Sequence, residues 1–115
     1  MEKRYPEQGL IPVESKILKL TGVAAGLAYS LKLYEQTVIV VATAGSVTIT
    51  LPNVLEAIGK FFSIYCTDLT GPATVTVQDN NESLGWSDMS LTADADHVLL
   101  YSDGIQWNKL VDVTT

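Results

Sequence analysis

His97 is the only histidine and Cys66 the only cysteine among 115 residues. The side chains that most often move protons, attack carbonyls or hold zinc are therefore each present once. His97 follows Asp94–Ala95–Asp96 and opens the run Val98–Leu99–Leu100–Tyr101–Ser102, which reads as a strand. A serine, this histidine and one of the carboxylates would be the parts of an acyl-transfer triad. No Gly-x-Ser-x-Gly elbow exists to present the nucleophile, and a histidine at a strand end beside acids reads as a solvated polar group. Cys66 closes Phe61–Phe62–Ser63–Ile64–Tyr65, a second strand run. A thiol there packs as a small apolar side chain, and activating it would need an electropositive setting.

Metal and nucleotide chemistry find equally little support. One Cys and one His cannot make a structural zinc site. Asp79–Asn80–Asn81–Glu82 and Asp94–Ala95–Asp96 carry the hard oxygens that calcium takes. Neither has the EF-hand spacing, and Asp and Asn are the ordinary residues of turns. The glycines form neither a phosphate-binding loop nor a dinucleotide fingerprint. The expectation is no catalytic residue, no metal and no cofactor. Trp86 and Trp107 could stack on sugars or bases, but large rings in a small β-domain more often serve the core or a subunit contact.

Charge narrows the partners. The net charge is −6, unevenly placed: Met1 to Lys32 holds five basic residues against three acidic, and Leu33 to Thr115 holds two against ten. An acidic body repels phosphate backbones, which are bound by clustered Lys and Arg, so no nucleic-acid partner is expected. The longest apolar run, Val38 to Ala42, falls far short of the roughly 20 residues that span a bilayer. Residues 1–20 scatter charges where a secretory signal has an apolar centre, so no membrane partner is expected either. A lone cysteine cannot form an internal disulfide and suits a reducing compartment.

The elements that must position these residues read as strands. Residues 1–14 contain Pro6, Gly9 and Pro12 and show no period, which predicts an extended N-terminal arm. Residues 15–115 read as a single β-domain, a length that supplies one core. Strand signals fall at Lys16–Leu20, Tyr29–Leu33, Thr37–Thr43, Val47–Leu51, Phe61–Thr67, Ala73–Gln78, Met89–Leu91, His97–Ser102 and Ile105–Val111. Thr37–Thr43 is β-branched and apolar on both faces, as in a central strand or one covered on both sides. Ala44–Gly45 reads as the turn of a hairpin joining it to Val47–Leu51. Asn53 is placed to cap a short helical turn, Val54 to Ile58, that Gly59 stops. Asp103–Gly104 reads as a two-residue hairpin turn. No internal repeat is evident. The fold class expected is all-β and mainly antiparallel, a small β-sandwich or β-barrel with an extended arm and one helical turn.

Two phrases carry a family resemblance. Thr48–Ile49–Thr50–Leu51–Pro52, continuing through Glu56–Ala57 and Gly59–Lys60 to Ile64, is similar to a TxTLPxxxEAxGKxYxI phrase. Leu99 to Trp107, with Ser102–Asp103–Gly104 at its centre, is similar to a closing SDGxxW phrase. Both occur in this order in small β-domains of tailed-bacteriophage virion proteins, and the resemblance covers roughly Val38 to Leu110. It implies a structural protein with no active site. The single short domain, the extended arm and the acidic body lean toward a capsid decoration (cement) protein. Such proteins sit as homo-trimers on the outside of the head, with arms laid over neighbouring major capsid protein subunits. That implies a place on the virion capsid surface, after assembly in the host cytoplasm. The capsid-binding residues expected in the arm are Lys3, Arg4, Tyr5, Leu10, Ile11 and Val13. The alternatives are a fibre or receptor-binding module and a tail or neck component. A small hydrolase or lyase would require a pocket holding His97 and two carboxylates.

Overall fold

The computed structural model describes residues 17–80 and 85–114. The expected arm, with Lys3, Arg4, Tyr5, Leu10, Ile11 and Val13, lies outside the described residues, as do 81–84 of the polar turn.

Among the described residues nine strands form: β1 (Ile17–Thr21), β2 (Leu27–Ser30), β3 (Thr37–Ala42), β4 (Val47–Thr50), β5 (Phe61–Leu69), β6 (Val75–Gln78), β7 (Met89–Leu91), β8 (His97–Ser102) and β9 (Trp107–Val113). They divide between a five-stranded sheet, ordered β1-β3-β5-β8-β9, and a four-stranded sheet, ordered β2-β4-β6-β7. Among the described residues there is no helix, so none long and apolar enough to cross a membrane.

The all-β expectation holds; the expected pairing does not. β3 and β4 are not a hairpin: β3 pairs with β1 and β5, β4 with β2 and β6, and all four pairings are parallel. Only β5–β8, β6–β7 and β8–β9 are antiparallel. Both sheets are thus mixed. Parallel neighbours need a long crossover between them, and here each crossover is a strand of the other sheet. The chain winds as a flattened coil of three rungs, β1–β2, β3–β4 and β5–β6. β7 and β8 then return in the opposite sense, and β9 closes the five-stranded sheet by a hairpin.

Short corners join the two sheets within a rung. At Gly22 a Cβ would lie 2.1 Å from the Gly45 carbonyl oxygen, and at Gly45 it would lie 1.9 Å from that of Val23. The Gly22 N–H donates to Val41 O at 2.7 Å and the Leu27 N–H to Ser46 O at 3.0 Å. Two glycines therefore let successive corners stack backbone on backbone. The repeat this creates was hidden in the sequence. Ile17 lies beside Thr37 and Leu27 beside Val47, but Thr37 lies beside Ser63 and Val47 beside Val75. The insert 51–60 breaks the spacing.

That insert folds as the capped turn expected. The Leu55 and Glu56 N–H groups donate to Asn53 Oδ1 at 2.8 and 3.4 Å, Ala57 N–H donates to Asn53 O at 3.1 Å, and Gly59 takes φ +79. The β8–β9 hairpin also forms, but with a four-residue connection. The Ile105 and Gln106 N–H groups donate to Asp103 Oδ1 at 2.8 and 2.9 Å, and only Gly104 has positive φ. Those N–H groups and the Asn108 amide hold the Asp103 carboxyl below its ordinary value.

Alternate residues from both sheets fill one core. Val38, Val40, Phe62, Ile64, Val98 and Leu100 meet Val47, Ile49, Val75, Val77, Met89 and Leu91. Trp107 packs edge-on against Phe62, centroids 5.4 Å apart, so it is a core residue.

Candidate contact face

Strand alternation gives each sheet an outer face, and the two faces differ. Residues paired across strands point to the same side, so register fixes which side chains share a row. On the four-stranded sheet the outward rows are Ala28–Thr48–Thr76–Ser90 and Ser30–Thr50–Gln78. Apart from Ala28 these are hydroxyls and an amide, and Gln78 Nε2 donates to Thr50 Oγ1 at 2.9 Å.

On the five-stranded sheet one row runs Ile17–Thr37–Ser63–Leu99–Val111 and the next Lys19–Ile39–Tyr65–His97–Val113. Phe61 and Tyr101 form a third pair, centroids 4.7 Å apart, and Tyr65 stacks on His97 at 5.6 Å and 23°. This face is open to solvent, with Phe61 48%, Tyr65 37% and Val113 44% exposed. It can remove apolar area from water, and it offers little else.

The sequence-derived chemical candidates sit elsewhere or are occupied. The Thr92 and Ala93 N–H groups donate to Asp96 Oδ2 at 2.9 and 3.1 Å, and the Leu69 N–H donates to Asp94 Oδ1 at 2.7 Å. Both carboxylates tie down the turn that brings β8 back beside β5. Ala95 between them has φ 70, and the His97 Nδ1 lies 2.7 Å from its carbonyl oxygen. Cys66 is fully buried on β5, and burial, followed by the charges of Asp96 and Asp94, pushes its thiol up to about 12. Among the described residues no three His, Cys, Asp or Glu side chains converge as metal ligands. A shallow depression at one end of the four-stranded sheet is lined by Lys32, Asn53, Glu56 and Asn80, and His97 takes no part in it.

Other polar groups serve packing. Glu35 is buried and accepts the Tyr29 hydroxyl at 2.7 and 2.9 Å and the Lys32 N–H at 2.8 Å. The hydrogen bond to Glu35, reinforced by burial, raises the Tyr29 hydroxyl to about 12. Trp86 donates to Asp88 Oδ1 at 2.7 Å, and the Lys109 ammonium lies 4.9 Å from the centre of its ring.

Sequence reasoning missed the outer face as a site. Its signal was strands apolar on both sides: β3, with Ile39 and Val41 outward, and β8, with Leu99 and Tyr101 outward. Comparison with protein-family profiles, with curated proteins and with solved structures found no match.

Proposed function

We propose that the chain is a structural protein of a tailed-bacteriophage virion, one that decorates the outside of the head and bridges major capsid subunits to stabilise the shell. The observation that carries this reading is where the N-terminal segment joins the body. β1, the first described strand, is the outermost strand of the five-stranded sheet, so the described chain begins at a sheet edge. Fourteen extended residues reach about 45–50 Å, enough to cross a neighbouring subunit. Such an arm adds as a strand to an exposed sheet edge, taking backbone hydrogen bonds from its partner. Tyr5, Leu10, Ile11 and Val13 supply apolar area, and Lys3 and Arg4 the charge. Binding that selects the assembled shell stabilises it by mass action. The work is mechanical, and no catalytic step is assigned.

The test removes Met1 to Glu14. The shortened chain keeps its melting transition and loses its occupancy on purified heads; unchanged occupancy overturns the reading. A second reading, a fibre or tail module, draws on the coil itself. In the first rung β1 and β2 are both edge strands, a surface on which a further rung could stack. Binding to host surface polysaccharide, with none to heads, would select it.

A further inference from the structure

We propose that the outer face of the five-stranded sheet is where this chain meets further copies of itself. The proposal does not depend on the virion reading, because a chain that never touches a capsid would still associate through this face.

Charge selects the occupant. The chain has 13 acidic residues and a net charge of −6. Only Asp68, at the far end of β5 beside Val41, is acidic in the rows of this face, and Lys19 on β1 offsets it. Copies of a strongly acidic protein repel one another, and they approach most easily through a surface where the charge has been removed. A basic partner would instead be matched by several acidic groups, and this face holds only Asp68.

Area agrees. Five strands about 4.8 Å apart, carrying rows about 6.8 Å apart, present roughly 500 Å² of sheet. Two such faces together bury about 1,000 Å², the level a specific association must reach. The aromatic pairs Phe61–Tyr101 and Tyr65–His97 supply rigid rings of the kind that dominate contact energy. The opposite sheet, with its hydroxyl rows, offers no such area.

The experiment is sedimentation velocity of the full chain over a dilution series, beside Tyr65→Asp, Val111→Asp and Thr48→Asp. Wild type is expected above monomer mass at the concentrated end. Tyr65→Asp and Val111→Asp, each placing a charge on the face, are expected to weaken association at least tenfold. Thr48→Asp, on the hydroxyl face, should leave it unchanged. Far-ultraviolet circular dichroism confirms that each variant is folded. Val111→Ala, a truncation at an exposed position of an edge strand, gives the same direction with a smaller shift should either aspartate variant unfold. A wild-type chain that stays monomeric throughout, or an oligomer indifferent to all three face substitutions, would overturn the proposal and leave the face to a different protein.

Discussion

Gly22 and Gly45 stand 23 positions apart and belong to different rungs, yet the coil makes them one structural unit. A methyl at Gly45 would lie 1.9 Å from Val23 O and 2.8 Å from Val23 C, and one at Gly22 would lie 2.1 Å from Gly45 O. Cβ atoms do not approach within 3.0 Å, so either alanine forces the stacked corners about 1 Å apart. Neither glycine has positive φ, so the cost is steric. Overpacking of this sort costs about 1–3 kcal/mol. The corner bonds from Gly22 N–H to Val41 O and from Leu27 N–H to Ser46 O stretch with it, each worth about 1 kcal/mol. Each single substitution is expected to destabilise by about 2–4 kcal/mol, or roughly 8–16 °C at about 4 °C per kcal/mol for a domain of this size. Once the corners have parted, the second methyl enters space already opened. The double variant should therefore fall short of the sum by at least about 1 kcal/mol. Gly71→Ala is the control: nothing lies within 4 Å, its φ is +69, and its cost of about 1 kcal/mol should add to either. Urea unfolding at constant m-value reads all four. Strict additivity of Gly22→Ala and Gly45→Ala would refute the stacked corners, and with them the parallel rungs.

Two further outcomes follow from the described contacts. Asn53→Ala removes the acceptor of the Leu55 and Glu56 N–H groups and is expected to cost about 1 kcal/mol, read as a lower denaturant midpoint with unchanged m-value. Alkali should destabilise the fold through Cys66 and Tyr29. Their ordinary values are 9.0 and 10.0, and in the folded chain both rise to about 12. The unfolded chain loses these protons first, so stability is full below about pH 9 and falls as pH climbs toward 12. Cys66→Ala combined with Tyr29→Phe should flatten that fall, and an unchanged pH profile would exclude both groups as its source.

Where strands lie was legible; which strands meet was not. Period-two alternation located β3, β5, β8 and most of the rest to within a residue or two, because it reports which side of a strand is buried; β2 is the exception, spanning Leu27–Ser30 where the alternation reads Tyr29–Leu33. It carries no information about neighbours. By sequence the nearest strand reads as the partner of β3, since a short Gly-containing link usually closes a hairpin. Here Gly45 serves a corner between sheets, and its partner is Val23 of the preceding rung. The 51–60 insert then masked the repeat that would have betrayed the coil. Local chemistry fared better. Asn53 and Gly59 act where the turn rules place them, and Trp107 and Cys66 are buried as their strand settings suggested.

The two outer faces provide a comparison within one molecule. A sheet face turned to water is ordinarily polar, and the four-stranded sheet obeys this with Thr48, Thr50, Thr76, Gln78 and Ser90. The same chain, with the same β-branched bias, places Ile39, Val41, Leu99, Val111 and Val113 outward on the other sheet. Threonine would serve the strand backbone equally well at each of these positions, so strand formation alone does not call for apolar side chains there. Left open, they would form an exposed patch of the size that marks an interaction site or an aggregation liability. The sequence of β3 is therefore written for two coverings. The four-stranded sheet provides one, and the proposed contact with further copies of the chain would provide the other.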